Sequence, residues 1–279
     1  MTQILGYSSE WLRERNGFHT ANEIAHQPRL WQEIAQTISN KKNEIDAFLA
    51  PIFAKQDLRV ILTGAGTSAF AGDAIAPYLN EKVNFSIEAI ATTEIVANPE
   101  QTLNAKQPTL MVSFARSGNS PESTAAVAIA NQMVEECYHL ILTCNADGEL
   151  AQYASTVTNA YSLIMPEGSN DKSFAMTSSF SCMTLSALAL ISQLTVDELL
   201  TIAKNIAEIC TEKLTQWQPL IKELAMMDYE RLIVLGSGGF VGLAKEASLK
   251  SLELSAGKVM TTSASSLGFR HGPKFAIND

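Results

Sequence analysis

The chain has 279 residues, of which 46% are hydrophobic and 18% are charged, and its formal net charge is −9. This composition is typical of a folded globular protein and excludes an extensively disordered chain. An acidic balance without a local basic patch also argues against nucleic acid and against an anionic membrane surface as partners.

Targeting segments, membrane spans and cysteine or histidine metal motifs are not predicted. The first residues are polar and acidic where a signal peptide needs an apolar core, and no segment approaches the roughly 18 apolar residues of a membrane helix. The four cysteines form no C-x-x-C pair and the four histidines are scattered, so neither a zinc site nor a redox pair is expected. We therefore expect a cytoplasmic protein.

The chain opens with predicted helices and then alternates between strands and helices. Residues 20–53 are predicted to be helical, with a capping box formed by Thr20 and Glu23 and a second helix beginning at Pro28. Short β-branched and apolar runs then predict strands at 59–63, 83–89, 109–114, 139–143 and 156–162. Helices are predicted between them at 68–79, 120–136 and 148–153. This alternation predicts an α/β fold with a doubly wound parallel sheet and helices on both faces.

The remainder of the chain predicts a connector and the start of a second unit. A buried helix is expected at 174–194 and an amphipathic one at 196–225, divided near Pro219. A strand at 231–235 followed by Gly-x-Gly repeats the pattern of the first strand. The predicted organisation is N-terminal helices (1–55), a first domain (56–195), a helical connector (196–228) and the start of a reduced or truncated second domain (229–279).

The first candidate loop is Gly64-Ala65-Gly66-Thr67-Ser68, between the first strand and its helix. Glycines there allow a tight turn, and the helix start offers free N–H groups and the positive end of its dipole to an anion such as phosphate. The alternatives are an empty βα turn or a dinucleotide site, with Ala69 in place of the third glycine and Glu88 as the ribose-binding acid.

A second loop, from Ser113 to Glu122, favours phosphate over a dinucleotide. Ser120 suits an N-cap and Pro121 the first helical position. Capping does not account for Arg116 and Ser117, whose donors suit a tetrahedral oxyanion. We expect two anion loops at neighbouring strand ends to hold one phosphate of a small molecule.

Two further patterns supply candidate acid–base groups. Glu246, Lys250 and Glu253 share one face of a predicted helix, and the alternative is a solvated salt-bridge surface. The apolar residues around them favour partial desolvation of an acid, which raises its pKa and suits proton transfer. His271 stands before Gly272-Pro273 and is either an exposed histidine or a proton-exchanging one.

Together these segments resemble the sugar isomerase (SIS) family of phosphosugar-binding proteins. The resemblance rests on GAGTS (64–68), SFARSGNSPES (113–123), AKEASLKSLELSAGK (244–258), FRHGP (269–273) and the leading helix at 22–31. The second loop and FRHGPK are similar to the branch of tagatose-6-phosphate ketose/aldose isomerases, also described as galactosamine-6-phosphate deaminase/isomerases.

The resemblance implies roles for individual residues. The phosphate-binding set is Gly66, Thr67, Ser68, Ser113, Arg116, Ser117, Gly118 and Ser120. By similarity to the isomerase half of glucosamine-6-phosphate synthase, Glu253 is the base, Lys250 lies one turn earlier, and His271 assists ring opening from a neighbouring subunit. Ala115 stands where that synthase has a phosphate-binding serine.

The resemblance implies an enzyme that acts on a hexose or hexosamine 6-phosphate without metal or other cofactor, as a homodimer or higher homo-oligomer. It would convert galactosamine-6-phosphate to tagatose-6-phosphate and ammonia, or interconvert ketose and aldose 6-phosphates, through an enediol or enolamine. A non-catalytic phosphosugar-binding regulator is the alternative, and the presence of both Glu253 and His271 favours the enzyme. Because the second half is short, we expect reduced turnover.

Overall fold

The sheet predicted from the alternating pattern is the centre of the fold. The computed structural model describes residues 3–272. Its five central strands are all parallel and lie in the order β4-β3-β5-β6-β7. They are β3 (Arg59–Thr63), β4 (Ser86–Ala89), β5 (Thr109–Ala115), β6 (Cys137–Thr143) and β7 (Ala160–Ile164). The doubly wound α/β prediction is confirmed, and the order of strands places the chain reversal between β3 and β5.

Helices cover both faces of this sheet and extend beyond it. They are α1 (Ser9–Glu14), α2 (Phe18–Asn40), α3 (Lys42–Phe53), α4 (Thr67–Asn80), α5 (Thr92–Ala97), α6 (Pro99–Thr102), α7 (Pro121–Met133), α8 (Glu149–Thr156), α9 (Ser178–Ile191), α10 (Val196–Gln216), α11 (Gln218–Ala225), α12 (Phe240–Leu254) and α13 (Gly268–His271). Two short pairs complete the strands: β1 (Gln3–Ile4) with β2 (Tyr7–Ser8), and β8 (Arg231–Gly236) with β9 (Met260–Ser265). Among residues 3–272, none of the helices has the length and hydropathy to cross a bilayer.

Burial follows the position of each strand in the sheet. Every residue of β3 and of β5 is buried, as expected for central parallel strands covered on both faces. The edge strand β4 alternates between buried and exposed residues. The largest apolar cluster joins these strands to α2, α3, α4 and α9, so the N-terminal helices belong to the same core as the sheet.

The structure corrects the predicted start of a helix at Pro28, which lies inside the continuous helix α2. A proline in a helix lacks the N–H that would bond the carbonyl four residues earlier. The side-chain amide of Gln27 donates to that carbonyl, on Ile24, at 3.4 Å. This substitute bond explains how the helix passes through the proline.

The predicted capping box of Thr20 and Glu23 is also absent, because α2 begins earlier, at Phe18. Glu23 is buried instead and accepts hydrogen bonds from the backbone N–H groups of Lys172 at 2.6 Å and Ser173 at 3.2 Å. A residue read as a local cap therefore anchors a loop that is distant in sequence.

The segment predicted as a connector is divided as expected. Thr195 and Glu198 form a capping box at the start of α10, and a break at Trp217 separates α10 from α11, with Pro219 in the first turn of α11. The strand β8 then begins a parallel two-stranded sheet with β9, a strand that the sequence pattern did not predict. The division into four segments (1–55, 56–195, 196–228 and 229–279) stays a prediction.

Close packing fixes α12 against α4. A Cβ atom added to Gly242 would lie 2.3 Å from the backbone nitrogen of Ala74, so only glycine permits this separation of the two helices. Beside this contact, the Lys245 ammonium donates to Asp73 at 2.7 Å. Helix α4 thus packs on the five-stranded sheet on one side and on α12 on the other.

We expect Gly242→Ala to destabilise the protein, because the methyl group would push α12 away from α4. Overpacking of this kind costs about 1–3 kcal/mol, measurable as a lower midpoint of urea unfolding. Ala247→Leu is the matched control, since it adds bulk to an exposed position of the same helix. Equal midpoints for Gly242→Ala and the parent chain would contradict the tight contact.

A buried histidine gives the fold a specific acid sensitivity. His139 on β6 is fully buried and its Nε2 lies 3.1 Å from the Asn131 side-chain oxygen. Burial lowers the pKa of His139 to about 4, because the protonated ring cannot be solvated there. The unfolded chain therefore binds this proton more tightly than the folded protein.

We predict that this histidine lowers the free energy of unfolding as the pH falls from about 6.5 to about 4. A difference of this size corresponds to a loss of about 3 kcal/mol. Urea unfolding of the parent chain and of His139→Leu across this range measures it, and the variant should show a shallower pH dependence. His19→Leu, at an exposed position, is the control for the loss of a histidine elsewhere in the chain. Parallel curves for parent and His139→Leu would refute the prediction.

Candidate functional site

The two predicted anion loops lie side by side at one edge of the sheet. Strands β3 and β5 are hydrogen-bonded neighbours, with Thr63 opposite Ser113. The loop that leads into α4 and the loop that leads into α7 both leave the sheet from this carboxyl edge. Ligands of open α/β sheets bind at this edge, where the order of strands reverses.

The first loop presents an uncapped helix N-terminus. Gly66 precedes α4 with φ 56° and ψ −126°, a backbone conformation that essentially requires glycine. No side chain of this residue or its helix start makes an N-cap hydrogen bond. The N–H groups of Ser68 and Ala69 donate to the carbonyls of Ala65 and Gly66, so the Thr67 N–H and the positive end of the helix dipole are what this turn can offer an anion. Ser68, in the same turn, is buried.

The second loop combines an uncapped helix with an unpaired guanidinium. Ser120 occupies the N-cap position of α7, as predicted, but its hydroxyl donates to Ser123 Oγ at 2.7 Å instead of capping the backbone. Arg116 Nη1 is buried and has no hydrogen-bond partner among the described residues. A buried unpaired donor is costly unless a ligand completes it, so Arg116 suits an anionic group.

Contacts from the loop after β6 hold the second loop in place. The Asn145 side-chain amide donates to the Ser117 carbonyl at 2.9 Å, and the Leu150 N–H donates to the Gly118 carbonyl at 3.1 Å. Ser117 itself remains exposed, whereas Ser113 is buried within β5. Ser117 is therefore accessible to a ligand and Arg116 is half-buried beside it, whereas Ser113 lies inside the strand.

A third helix start near this edge is already occupied. Asp171 is buried and accepts hydrogen bonds from the backbone N–H groups of Thr177, Ser178 and Ser179 at 2.9–3.0 Å. Its carboxylate therefore neutralises the N-terminus of α9. The contrast with α4 and α7, which lack such a cap, distinguishes the two helix ends that can take a ligand anion.

The acid–base residues predicted on one helical face form a connected cluster with the first loop. Lys250 Nζ lies 2.6 Å from Glu253 Oε2 and 3.4 Å from Glu246 Oε1, and it donates to the Thr67 hydroxyl at 2.8 Å. The side chains of Glu246, Lys250 and Glu253 are 8%, 15% and 18% exposed. These values exclude the alternative of a solvated salt-bridge surface.

Glu246 belongs to this cluster, but the family resemblance assigned no individual role to it. It accepts a hydrogen bond from Thr67 Oγ1 at 3.2 Å, and its Oε2 is buried without a partner among residues 3–272. Burial raises the pKa of Glu246, while Lys250 and the Thr67 hydroxyl oppose that rise. The predicted desolvated acid on this helix is therefore observed at Glu246.

Thr67 also departs from its expected place. Its side chain is buried and points to α12, so any contact of this residue with phosphate falls to its backbone N–H.

His271, at the end of α13, is exposed, and no described contact joins it to the Glu253 cluster. The predicted Pro273 and Lys274 lie outside the described residues.

The acidic residue that a dinucleotide site would need, Glu88, is already paired with an arginine. Glu88 forms two hydrogen bonds to the Arg59 guanidinium, at 2.7 and 2.9 Å, and this pairing lowers the pKa of Glu88. Arg59 stands at the start of β3, away from the edge that carries the loops. The carboxylate is thus committed to a structural ion pair and is not presented to a ribose.

Two buried acids that organise this edge, Glu23 and Asp171, were not predicted as such. Both act across long sequence separations or outside capping-box spacing, because Asp171 caps a helix that begins seven residues later. No standard capping pattern signals either role. The one indication in the sequence was the accumulation of Ser and Thr after Asp171, which is typical of the start of a helix.

Comparison with known proteins agrees with this geometry. The family model of the SIS domain matches residues 52–193. A protein of Streptomyces coelicolor described as a putative D-galactosamine-6-phosphate deaminase AgaS is 46% identical over 271 residues, covering 94% of this chain and 68% of that protein. The D-galactosamine-6-phosphate deaminase AgaS of a Shewanella species is 43% identical over 274 residues, covering 97% of this chain and 69% of the relative.

Solved structures show the same fold. A putative tagatose-6-phosphate ketose/aldose isomerase from Clostridium novyi superposes with a TM-score of 0.94 at 46% identity, over 100% of this chain and 71% of that one. The tagatose-6-phosphate ketose/aldose isomerase from Escherichia coli gives a TM-score of 0.91 at 42% identity, over 100% and 74% of the two chains. On the strength of the matched domain and of relatives aligned over nearly its whole length, this chain belongs to the SIS-domain family.

Proposed function

We propose that the chain is an enzyme that acts on a hexosamine or hexose 6-phosphate, converting galactosamine-6-phosphate to tagatose-6-phosphate and ammonia or interconverting ketose and aldose 6-phosphates. The observation that carries the proposal is the direct contact of the base helix α12 with the first anion loop through Thr67 and Lys250. Relatives that share 43–46% of their residues with the chain are named for the deaminase activity, which supports the same reaction.

In the proposed reaction, the anion loops hold the phosphate and the α12 cluster works at the other end of the substrate. The Glu253 carboxylate removes the proton from C2 of the open-chain sugar, and the electron pair forms an enediol or, for an amino sugar, an enolamine. Return of the proton to C1 gives the ketose or its C2 imine. Water then adds to the imine carbon and ammonia leaves, so that amino sugar and water become ketose and ammonia.

Lys250 and the phosphate loops supply electrostatic stabilisation in this scheme. The Lys250 ammonium, 2.6 Å from Glu253, is placed to stabilise negative charge that develops on the substrate oxygens. Phosphate binding remote from the reacting carbons provides the free energy that orients them. On a chain of net charge −9, the Arg116 guanidinium and two uncapped helix ends attract the anionic substrate locally.

We also propose a cytoplasmic homodimer or higher homo-oligomer in which His271 serves the active site of a neighbouring copy and assists ring opening. The exposure of His271 and its lack of a described contact to the Glu253 cluster within one copy support this arrangement. Light scattering coupled to size exclusion gives the oligomeric state, and a monomer with full activity would contradict it.

We predict that Glu253→Gln lowers kcat by about 10²- to 10⁴-fold, the usual effect of losing a general base, with little change in KM. The assay measures ammonia release from galactosamine-6-phosphate and glucosamine-6-phosphate, and isomerisation of tagatose-6-phosphate. Glu208→Gln, an exposed glutamate on α10, is the matched control. Binding of these substrates without turnover by the parent chain would favour the regulatory alternative, and unchanged turnover in Glu253→Gln would remove Glu253 from the mechanism.

We further predict that Arg116→Met raises KM about 10- to 100-fold, because a hydrogen bond to a charged group contributes about 1.5–3 kcal/mol. The kcat should change less, since Arg116 is proposed to bind the phosphate and not the reacting carbons. Arg15→Met, at a surface position, controls for the loss of one positive charge. An unchanged KM in Arg116→Met would exclude Arg116 from the phosphate site.

A further inference from the structure

The hydroxyl of Thr67 is fully committed to the protein. Its oxygen accepts a hydrogen bond from the Lys250 ammonium at 2.8 Å, and its single proton is donated to Glu246 Oε1 at 3.2 Å. A hydroxyl has one proton to donate. Thr67 therefore cannot donate to a bound phosphate without breaking its bond to Glu246.

Thr67 stands at the junction of the two halves of the proposed site. It is the first residue of α4 and lies between Gly66 and Ser68 in the first anion loop. Through Lys250 it is connected to Glu253, whose carboxylate lies 2.6 Å from the same ammonium. One hydrogen bond, from Lys250 to Thr67, and one ion pair, between Lys250 and Glu253, thus connect the helix end proposed to bind phosphate to the proposed base.

Charges packed around this junction leave Lys250 as its only described cation with a direct contact to Thr67. On α12, Glu246 and Glu253 face Lys250 from either side. On α4, Asp73 is paired with Lys245 at 2.7 Å. Two carboxylates therefore compete for one ammonium, and the Thr67 oxygen is a third, uncharged acceptor that fixes where the ammonium sits.

We propose that Thr67 is a positioning residue. Its hydroxyl holds the Lys250 ammonium, and through it the Glu253 carboxylate, at a fixed distance from the phosphate bound at the start of α4. This inference rests on the proposed function and adds a residue that acts on the base without touching the substrate. Glu246 is buried, and its Oε2 has no partner among the described residues. Because Glu246 Oε1 accepts the hydrogen bond of the Thr67 hydroxyl, it orients the hydroxyl lone pairs toward Lys250.

Thr67→Val tests this idea, because valine keeps the shape of threonine and removes the hydroxyl. We expect kcat to fall by about 10- to 100-fold, the effect of misplacing a catalytic group, while KM stays within about twofold. Thr67→Ser should recover most of the lost turnover. The neighbouring Ser68→Ala should show the opposite split, with a raised KM. Thr215→Val on α10, an exposed position, controls for the substitution itself.

A second measurement does not depend on turnover. Carbon-13 NMR of labelled glutamate carboxyl groups follows the titration of Glu246, assigned with Glu246→Gln. Loss of the Thr67 donor should move the Glu246 titration to higher pH in Thr67→Val, because the charged form loses a hydrogen bond. Titration with inorganic phosphate should give the same affinity for Thr67→Val as for the parent chain and a weaker one for Ser68→Ala.

These outcomes separate the inference from the proposed function. A raised KM with unchanged kcat, or weakened phosphate binding, in Thr67→Val would overturn the inference by making Thr67 a phosphate ligand. An unmoved Glu246 titration would also overturn it. If the parent chain turns over none of the sugar phosphates, the proposed function fails, and the NMR and phosphate titrations alone decide whether Thr67 holds the cluster.

Discussion

The contact between α4 and α12 is the constraint on which the rest of the site depends. Helix α4 begins at the phosphate loop, packs on the five-stranded sheet and carries Thr67 at its first turn. The missing side chain of Gly242 lets α12 approach close enough for Lys250 to reach that threonine. A separation larger by one methyl group would move Lys250 away from Thr67 and so break the link that Lys250 makes between the first loop and Glu253.

The electrostatic potential at the carboxyl edge of the sheet depends on which helix N-termini are capped by a side chain of the protein itself. Asp171 neutralises the start of α9, whereas α4 and α7 begin without a side-chain cap. Two helix N-termini at this edge are thereby left without a side-chain cap, and Arg116 Nη1 has no hydrogen-bond partner among the described residues. In the proposed function, these groups attract the anionic substrate to a strongly acidic chain that has no basic surface.

Much of the fold and the outline of the site could be predicted from the sequence, because both depend on local patterns. Apolar β-branched runs separated by amphipathic stretches predicted all five strands of the central sheet. Glycines and serines at strand ends indicated the two neighbouring loops that are proposed to bind phosphate. The helical spacing of Glu246, Lys250 and Glu253 correctly predicted a shared face. These features require only the near neighbours of each residue.

The errors concern residues whose partners are distant in sequence. Pro28 was read as a helix start, although Gln27 supplies the bond that the proline cannot. The sequence predicts a cap at Glu23, although its carboxylate binds the backbone of Lys172 in a loop that is distant in sequence. The turning of Thr67 away from the anion and toward α12 could not be foreseen either, because motif patterns specify residue types and not the rotamer chosen after two elements pack together.

The glycine at the α4–α12 contact has a consequence for how the family can diverge. Since the Cα of Gly242 lies against the backbone around Ala74, neither helix can accept a larger residue there unless the other helix shifts. A larger residue at position 242 would therefore have to be accompanied by a change around residue 74, although the two positions are far apart in the chain. The steric constraint acts on the pair of helices and not on either sequence segment alone.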